Sequence, residues 1–180
     1  MPGVLFLDFD GPIFPTKVFV LPENNGQASR AVCEELNLHP YVTYWKADPI
    51  SIAMLNKLYD FYPYDLVISS SWADDWLHQR EQIESVLLKN ELNYNMHKTW
   101  RTPRDTYDTR HEQIAHWLKL HPEYGDKYII LDDTSSGAGL ADKEEIERCG
   151  LNPKNIFLVN IDDGLSHKDY TTISLRLRGW

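Results

Sequence analysis

Long apolar runs, cysteine and positive charge are all scarce in this sequence. No stretch approaches the roughly 18 consecutive apolar residues of a membrane-spanning helix, so no part of the chain is expected to cross a membrane. Only two cysteines, Cys33 and Cys149, occur among 180 residues, with no CxxC and no histidine near either in metal-ligand spacing. That pattern supplies neither a disulfide framework nor a zinc site and reads as two buried thiols. Lys and Arg number 18 against 27 Asp and Glu, a formal net charge of −9. Such an excess of acid disfavours sequence-blind binding to long duplex nucleic acid, which is driven by cations set against the phosphate backbone. A nucleotide or a strand end stays open. The first apolar run has no basic region before it and ends in acids where a cleavable leader would carry small residues, so the expected compartment is the cytoplasm. There is no internal repeat and no low-complexity tract.

What is present suits a globular chain with one sizeable core: 42% of residues are hydrophobic and 25% charged, and the length predicts a single domain over residues 1–180. Its most informative stretch is the first, Gly3-Val4-Leu5-Phe6-Leu7-Asp8-Phe9-Asp10-Gly11, a strand-length apolar run ending in two aspartates and a glycine. Acids at the tip of a buried strand are costly unless a cation or a substrate needs them.

Residues 12–47 are poorly periodic and rich in Pro, Asn and aromatics, with a short helix over Ala28 to Leu36 and a small hairpin or flap over Pro15 to Leu21 as their readings. Asp48-Pro49 then marks a helix start, with Ile52, Leu55, Leu58 and Tyr59 at helical spacing to about residue 60. Asp65 to Ile68 is a second buried strand running into Ser69-Ser70-Ser71. Ser71 fits a helix N-cap, and Trp76, Ile83, Val86 and Leu87 carry an apolar face to about Lys89. A short strand near Asn95 to Thr99 precedes a basic loop through Trp100 and Arg104, and a helix from Arg110 carries Ile114, Trp117 and Leu118 on one face. Tyr128 to Leu131 is a further strand, closed by Asp132-Asp133. Residues 141–148 read as a helix stopped by Gly150, Ile156 to Val159 as a strand, and Ser166 with Asp169 as the capping box of a last helix. Alternating strands and helices predict an α/β fold, a Rossmann-like parallel sheet of about five strands with helices on both faces. Groups at the carboxyl tips of neighbouring strands would then converge on one metal ion and one phosphate.

The order Asp8-x-Asp10-Gly11, a Ser at a later strand end, a basic residue opening a helix, and Asp132-Asp133 closing the next strand resembles the haloacid dehalogenase-like (HAD) phosphohydrolases. The resemblance extends to the HAD domain group of Swiss Army Knife RNA repair-like proteins, through Pro15 after the DxDG, the Ser70-Ser71-Trp72 turn, the Arg110 to Leu118 helix and the late Gly164-Leu165. It spans nearly the whole chain except residues 16–48. It implies a Mg²⁺-dependent phosphomonoesterase with Asp8 as nucleophile, which a carboxylate beside Mg²⁺ suits. Asp10 would be the acid/base, Ser70 a hydrogen-bond donor to a phosphoryl oxygen, and Arg110 the positive charge that steadies the phosphorylated aspartate. Mg²⁺ would be held by Asp8, the backbone carbonyl of Asp10, Asp132 and Asp133. Two positions depart from the family's pattern: Pro12 brings no N–H to its turn, and Arg110 stands where Lys is usual. Ser69 and Ser71 are register alternatives to Ser70, and Lys98, Arg104 or Lys127 alternatives to Arg110.

Taken alone, a DxD at a strand end is as well read as a turn with solvated acids, and a receiver domain gathers similar groups in a different order. The aromatics Phe14, Phe19, Tyr41, Tyr44, Trp45, Trp72 and Trp100 either pack or stack a base or sugar near the site. His111 and His116 are five apart and do not share a helical face, so they read as surface or core residues. No room remains between Ser70 and Asp132 for a large cap, leaving a capless fold or a small flap or cap at residues 12–47. The expected substrate is a phosphorylated molecule, a nucleotide or a nucleic-acid end. The alternative is a non-catalytic HAD-like module that binds metal and ligand.

Overall fold

The opening apolar run forms strand β1, Gly3–Leu7, buried at every position. A strand with no polar face needs cover on both sides, and β1 has it as the central strand of a five-stranded sheet. The computed structural model describes residues 2–24, 45–75, 77–103, 109–134 and 142–180. Its other strands are β2, Tyr64–Ile68, β3, Asn95–Arg101, β4, Tyr128–Asp133, and β5, Ile156–Val159. Their order is β3-β2-β1-β4-β5 and every pairing is parallel. Leu5 pairs with Leu66 on one side and Ile129 on the other, which sets the three central strands level.

Parallel neighbours require crossovers, and helices supply them. They are α1, Pro49–Phe61, α2, Trp72–Asp75, α3, Arg80–Lys89, α4, Arg110–Leu120, α5, Lys143–Arg148, and α6, His167–Leu177. The period of two in β1 divides the core: Leu5 and Leu7 pack with residues of α1, α3 and α6, whereas Val4 and Phe6 pack with Ile114 and Trp117 of α4 and Ile146 of α5. The expected α/β architecture, with about five parallel strands and helices on both faces, is the one found. Among the described residues no helix is long and apolar enough to cross a membrane.

The helix starts follow their side chains. Asp48 Oδ2 accepts from the Ser51 N–H at 3.1 Å with Pro49 in the first turn of α1. Ser166 Oγ accepts from the Asp169 N–H at 3.2 Å while Asp169 Oδ2 accepts from the Ser166 N–H at 3.0 Å, closing the capping box expected at α6. Gly150 has φ +70° just after α5, the left-handed stop its position implies.

Four local expectations are corrected. The helix drawn from Ser71 to Lys89 is two helices. Trp72 and Leu77 are both buried in the same core, yet five residues of unbroken helix would set them about 140° apart. The chain therefore breaks, and α3 restarts with the Gln82 side chain accepting from the Gln79 N–H at 3.0 Å. The N-terminal turn of α2 leans on Ser70 rather than Ser71: Ser70 Oγ faces the Trp72 N–H at 3.4 Å. Trp100 and Arg101, expected in a loop, extend edge strand β3 across an irregular register in which Ile68 pairs with Arg101. Thr16–Val20 is a 3-10 turn and not the hairpin that was one reading of Pro15 to Leu21, seated by the Thr16 N–H on the Ile161 carbonyl at 2.8 Å.

Within the described part of residues 12–47, Ile13, Phe14 and Val18 are buried, and the Asn24 side chain bonds both the N–H and the carbonyl of Lys46. Residues 25–44, where the helix over Ala28 to Leu36 was expected and where Cys33, Tyr41 and Tyr44 stand, lie outside the described residues, as do Trp76 and Arg104. Cys149 is half-buried, so it is not the fully buried thiol expected.

Candidate active site

At the carboxyl edge of the sheet the ladders run one residue beyond the strands. The Asp8 N–H donates to the Leu131 carbonyl and the Ser69 N–H to the Leu7 carbonyl, both at 2.9 Å. This registration brings the ends of β1, β2 and β4 together. Asp8 and Asp132 repeat one local device: Asp8 Oδ1 accepts from the Phe9 N–H and Asp132 Oδ1 from the Asp133 N–H, each at 2.8 Å. Asp8, Asp132 and Asp133 are all buried, and each offers a carboxylate oxygen within 4.8 Å of the others.

Gly11 makes this crowding possible. Its φ is +80°, and a Cβ there would stand 2.5 Å from Asp133 Cβ, so both the backbone angle and the close approach demand glycine. The turn that follows closes through the Gly11 N–H to the Phe14 carbonyl at 3.2 Å and the Phe14 N–H to the Phe9 carbonyl at 2.9 Å. Pro12 sits between these donors, so its missing N–H removes none of the bonds that close the turn.

Arg110, the first residue of α4, reaches the acids. Its Nη1 lies 3.3 Å from Asp8 Oδ1 and 3.2 Å from Asp132 Oδ2, as ion pairs without hydrogen-bond alignment. Of the other basic residues considered for this place, Lys127 immediately precedes β4 at the opposite end of the sheet, Lys98 is exposed on edge strand β3, and Arg104 is outside the described residues. Burial, followed by the neighbouring Asp132 charge, raises the Asp8 carboxyl well above its ordinary range, with Arg110 and a Ser70 hydrogen bond opposing. Burial also opposes the charge on Arg110, but Asp8 and Asp132 outweigh it and hold its pKa up. Ser70 is thus the serine whose hydroxyl acts on the ionisation of Asp8; the Ser69 hydroxyl is buried with no hydrogen-bond partner among the described residues.

Asp10 is half-buried, and its carboxylate has a different partner. The Trp72 indole N–H donates to Asp10 Oδ2 at 2.9 Å. Burial raises the Asp10 pKa, with the indole bond pulling the other way and Asp133 adding to the rise. This contact joins residues 62 apart, and no sequence spacing announces it. The only sequence signal was the position of Trp72 directly after the serines that end β2.

The aromatic readings divide accordingly. Trp72 is 1% exposed and Phe14 fully buried, their rings stacked at 4.8 Å. Phe9 meets Trp72 edge-on at 5.3 Å and Trp45 meets it at 5.4 Å. Neither Trp72 nor Phe14 keeps a face for a base, so their rings pack in the core and do not stack on a ligand. Trp45 is half-buried, Phe19 packs against it at 4.9 Å, and Trp100 is half-buried under the Arg101 guanidinium.

One further metal-capable group occurs among the described residues. His111, buried as one of its two readings allowed, lies 3.0 Å from Glu145 Oε2, and Cys149 Sγ is close by. Histidine therefore does approach Cys149 in space, although nothing in the sequence spacing indicates it. The Glu145 carboxylate is already paired with Arg148, which also holds Glu112 at 3.0 Å.

A family model described as the HAD domain in Swiss Army Knife RNA repair proteins matches residues 4–169. No curated protein and no solved structure matches the chain.

Proposed function

The chain belongs to the HAD domains of Swiss Army Knife RNA repair proteins, and from that premise we propose that it is a Mg²⁺-dependent phosphomonoesterase that works through an aspartyl-phosphate on Asp8. The family implies a phosphohydrolase-type activity. The observation that carries the finer reading is the set of three buried carboxylates, Asp8, Asp132 and Asp133, with the Arg110 guanidinium at ion-pair distance from Asp8 and Asp132. The donors of this group are all hard oxygens, the set that Mg²⁺ prefers. Asp8, Asp132 and Asp133 would hold the ion, with the Asp10 carbonyl as the further ligand the family resemblance implies. When bound, Mg²⁺ supplies positive charge that keeps Asp8 ionised and draws in the phosphoryl oxygens.

In the first step an Asp8 oxygen forms a bond to phosphorus as the ester P–O bond breaks, and Asp10 gives its proton to the departing oxygen. In the second, Asp10 takes a proton from water, the water oxygen bonds to phosphorus, and the bond to Asp8 breaks to release inorganic phosphate. Burial raises the Asp10 carboxyl and so favours a group that carries a proton part of the time. The Ser70 hydroxyl would donate to a phosphoryl oxygen, and Arg110 would offset the accumulating charge.

For substrate we favour a nucleotide or the terminal phosphate of a nucleic acid. Membership of a family described by RNA repair supports that class, and the net charge of −9 favours a short or terminal phosphate over an extended strand. The test is turnover of an aryl phosphate with Mg²⁺, followed by mononucleotides against 3′- and 5′-phosphorylated oligonucleotides. Asp8→Asn should abolish turnover, and full activity in that variant removes the mechanism. An inactive wild type that still binds nucleotides only with Mg²⁺ would point to the non-catalytic module.

A further inference from the structure

We propose that Trp72 is a positioning residue for the general acid, its indole N–H fixing which oxygen of Asp10 carries the proton. The inference rests on the phosphomonoesterase reading above. A neutral carboxylic acid has one O–H and can place it on either oxygen. An indole nitrogen donates and never accepts, and the carbonyl oxygen of a carboxylic acid is a better acceptor than its hydroxyl oxygen, so the oxygen facing the indole is favoured as the carbonyl. Trp72 Nε1 faces Asp10 Oδ2 at 2.9 Å. The proton is thereby assigned to Oδ1, the oxygen left for the leaving group.

The contact is held at both ends. On the indole side, Trp72 is 1% exposed, stacked on Phe14 and met edge-on by Phe9 and Trp45. On the acid side, Asp10 follows Phe9 directly and forms an isolated bridge with Phe14. Phe9 and Phe14 thus fix the ring of the donor and the backbone of the acceptor together. A hydroxyl or an amide at the same place could act as donor or acceptor and would leave the proton free to occupy either oxygen. The aromatic cluster acts on the reaction through Asp10, with no need to touch substrate.

The chemistry affected is proton delivery to the oxygen whose bond to phosphorus breaks. A 2,4-dinitrophenyl leaving group departs as a stable anion and needs no proton, whereas an alkoxide needs one. The test is kcat/KM, which reports the step that expels the leaving group, for phosphomonoesters graded from dinitrophenyl through nitrophenyl to alkyl. Trp72→Phe keeps an apolar ring and deletes the N–H. It should stay close to wild type on the dinitrophenyl ester and fall about 10- to 100-fold on the alkyl ester, a fraction of what a general acid contributes. Replacing the indole with its benzothiophene isostere deletes the same N–H with almost no change of shape and covers the case in which Trp72→Phe does not fold. Leu55→Ala, which loosens the same core away from the contact and keeps the N–H, should lower stability without the dependence on leaving group.

An equal loss across the esters, or none, overturns the proposal while the phosphatase reading stands. A wild type that turns over no ester with Mg²⁺ removes both. The contact has a readout apart from activity: the Trp72 indole N–H resonance should shift in Asp10→Ala. A resonance that stays in place overturns the proposal even in an active enzyme.

Discussion

Replacing Arg110 by methionine removes the cation that bridges buried Asp8 and Asp132 while keeping a long unbranched side chain in its place. In the folded protein Arg110 Nη1 is 3.3 Å from Asp8 and 3.2 Å from Asp132, and the side chains are 11%, 4% and 1% exposed. Water therefore screens this group little, and removing one partner of such a pair costs about 3–5 kcal/mol. For a chain of this length, each kcal/mol lowers the midpoint by about 2–4 °C, so the variant should melt about 6–20 °C lower in EDTA near neutral pH. Two dependences separate this cause from simple loss of packing. Asp8 has a folded pKa above its unfolded value, so the folded state binds more protons, and the stability linked to Asp8 is present at low pH and lost as pH rises through the folded value. Without Arg110 that loss deepens, so the difference between variant and wild type should shrink at acidic pH and grow toward neutrality. Saturating Mg²⁺ should return part of the deficit, since it supplies charge to the same carboxylates. Thermal unfolding by circular dichroism across pH, with and without Mg²⁺, measures all three effects. A deficit below about 1 kcal/mol, unchanged by pH and by Mg²⁺, would refute the reasoning, because it would mean that a buried charge was never left uncompensated.

Gly11→Ala and Gly150→Ala form a matched pair, since both glycines have positive φ but only Gly11 meets another atom, Asp133 Cβ at 2.5 Å from the added carbon. Gly150→Ala should cost only the backbone preference, about 1–2 kcal/mol by denaturant unfolding. Gly11→Ala should cost more and also weaken stabilisation by Mg²⁺; equal costs would mean that Asp133 yields freely. Asn24→Ala removes bonds to the Lys46 N–H at 2.6 Å, the Lys46 carbonyl at 2.8 Å and the Val18 carbonyl at 2.9 Å. The lost bonds should lower stability by about 1–3 kcal/mol and speed hydrogen exchange at the Lys46 amide, and unaltered exchange there would show that Asn24 does not hold it.

The sheet was readable because its strands are apolar runs bounded by polar residues, and because a chain alternating such runs with helices has few topologies open to it. Asp48-Pro49 and Ser166 with Asp169 marked their helix starts for a local reason: each side chain closes a bond to an amide within three residues. What escaped the sequence depends on tertiary placement. The break before α3 follows from burying both Trp72 and Leu77 in one core, and the extension of β3 from pairing at an irregular edge. Pro12 looked disruptive only because the donors that close its turn, on Gly11 and Phe14, were not yet known.

Two carboxylates one residue apart need different environments if they are to behave differently, and charge patterns along a sequence cannot assign those environments. Asp8 and Asp10 are both raised by burial, so desolvation alone does not distinguish them. Their partners do. Asp8 is at ion-pair distance from a guanidinium, which favours its ionised form; Asp10 accepts from an indole, which is uncharged and leaves a proton on the opposite oxygen tolerable. The cation comes from the start of α4 and the neutral donor from the turn after β2, so the distinction is made by elements that meet only in the folded sheet. The tryptophan that the sequence leaves between packing and stacking a base is, in the fold, the feature that makes the second acid of the DxDG loop unlike the first.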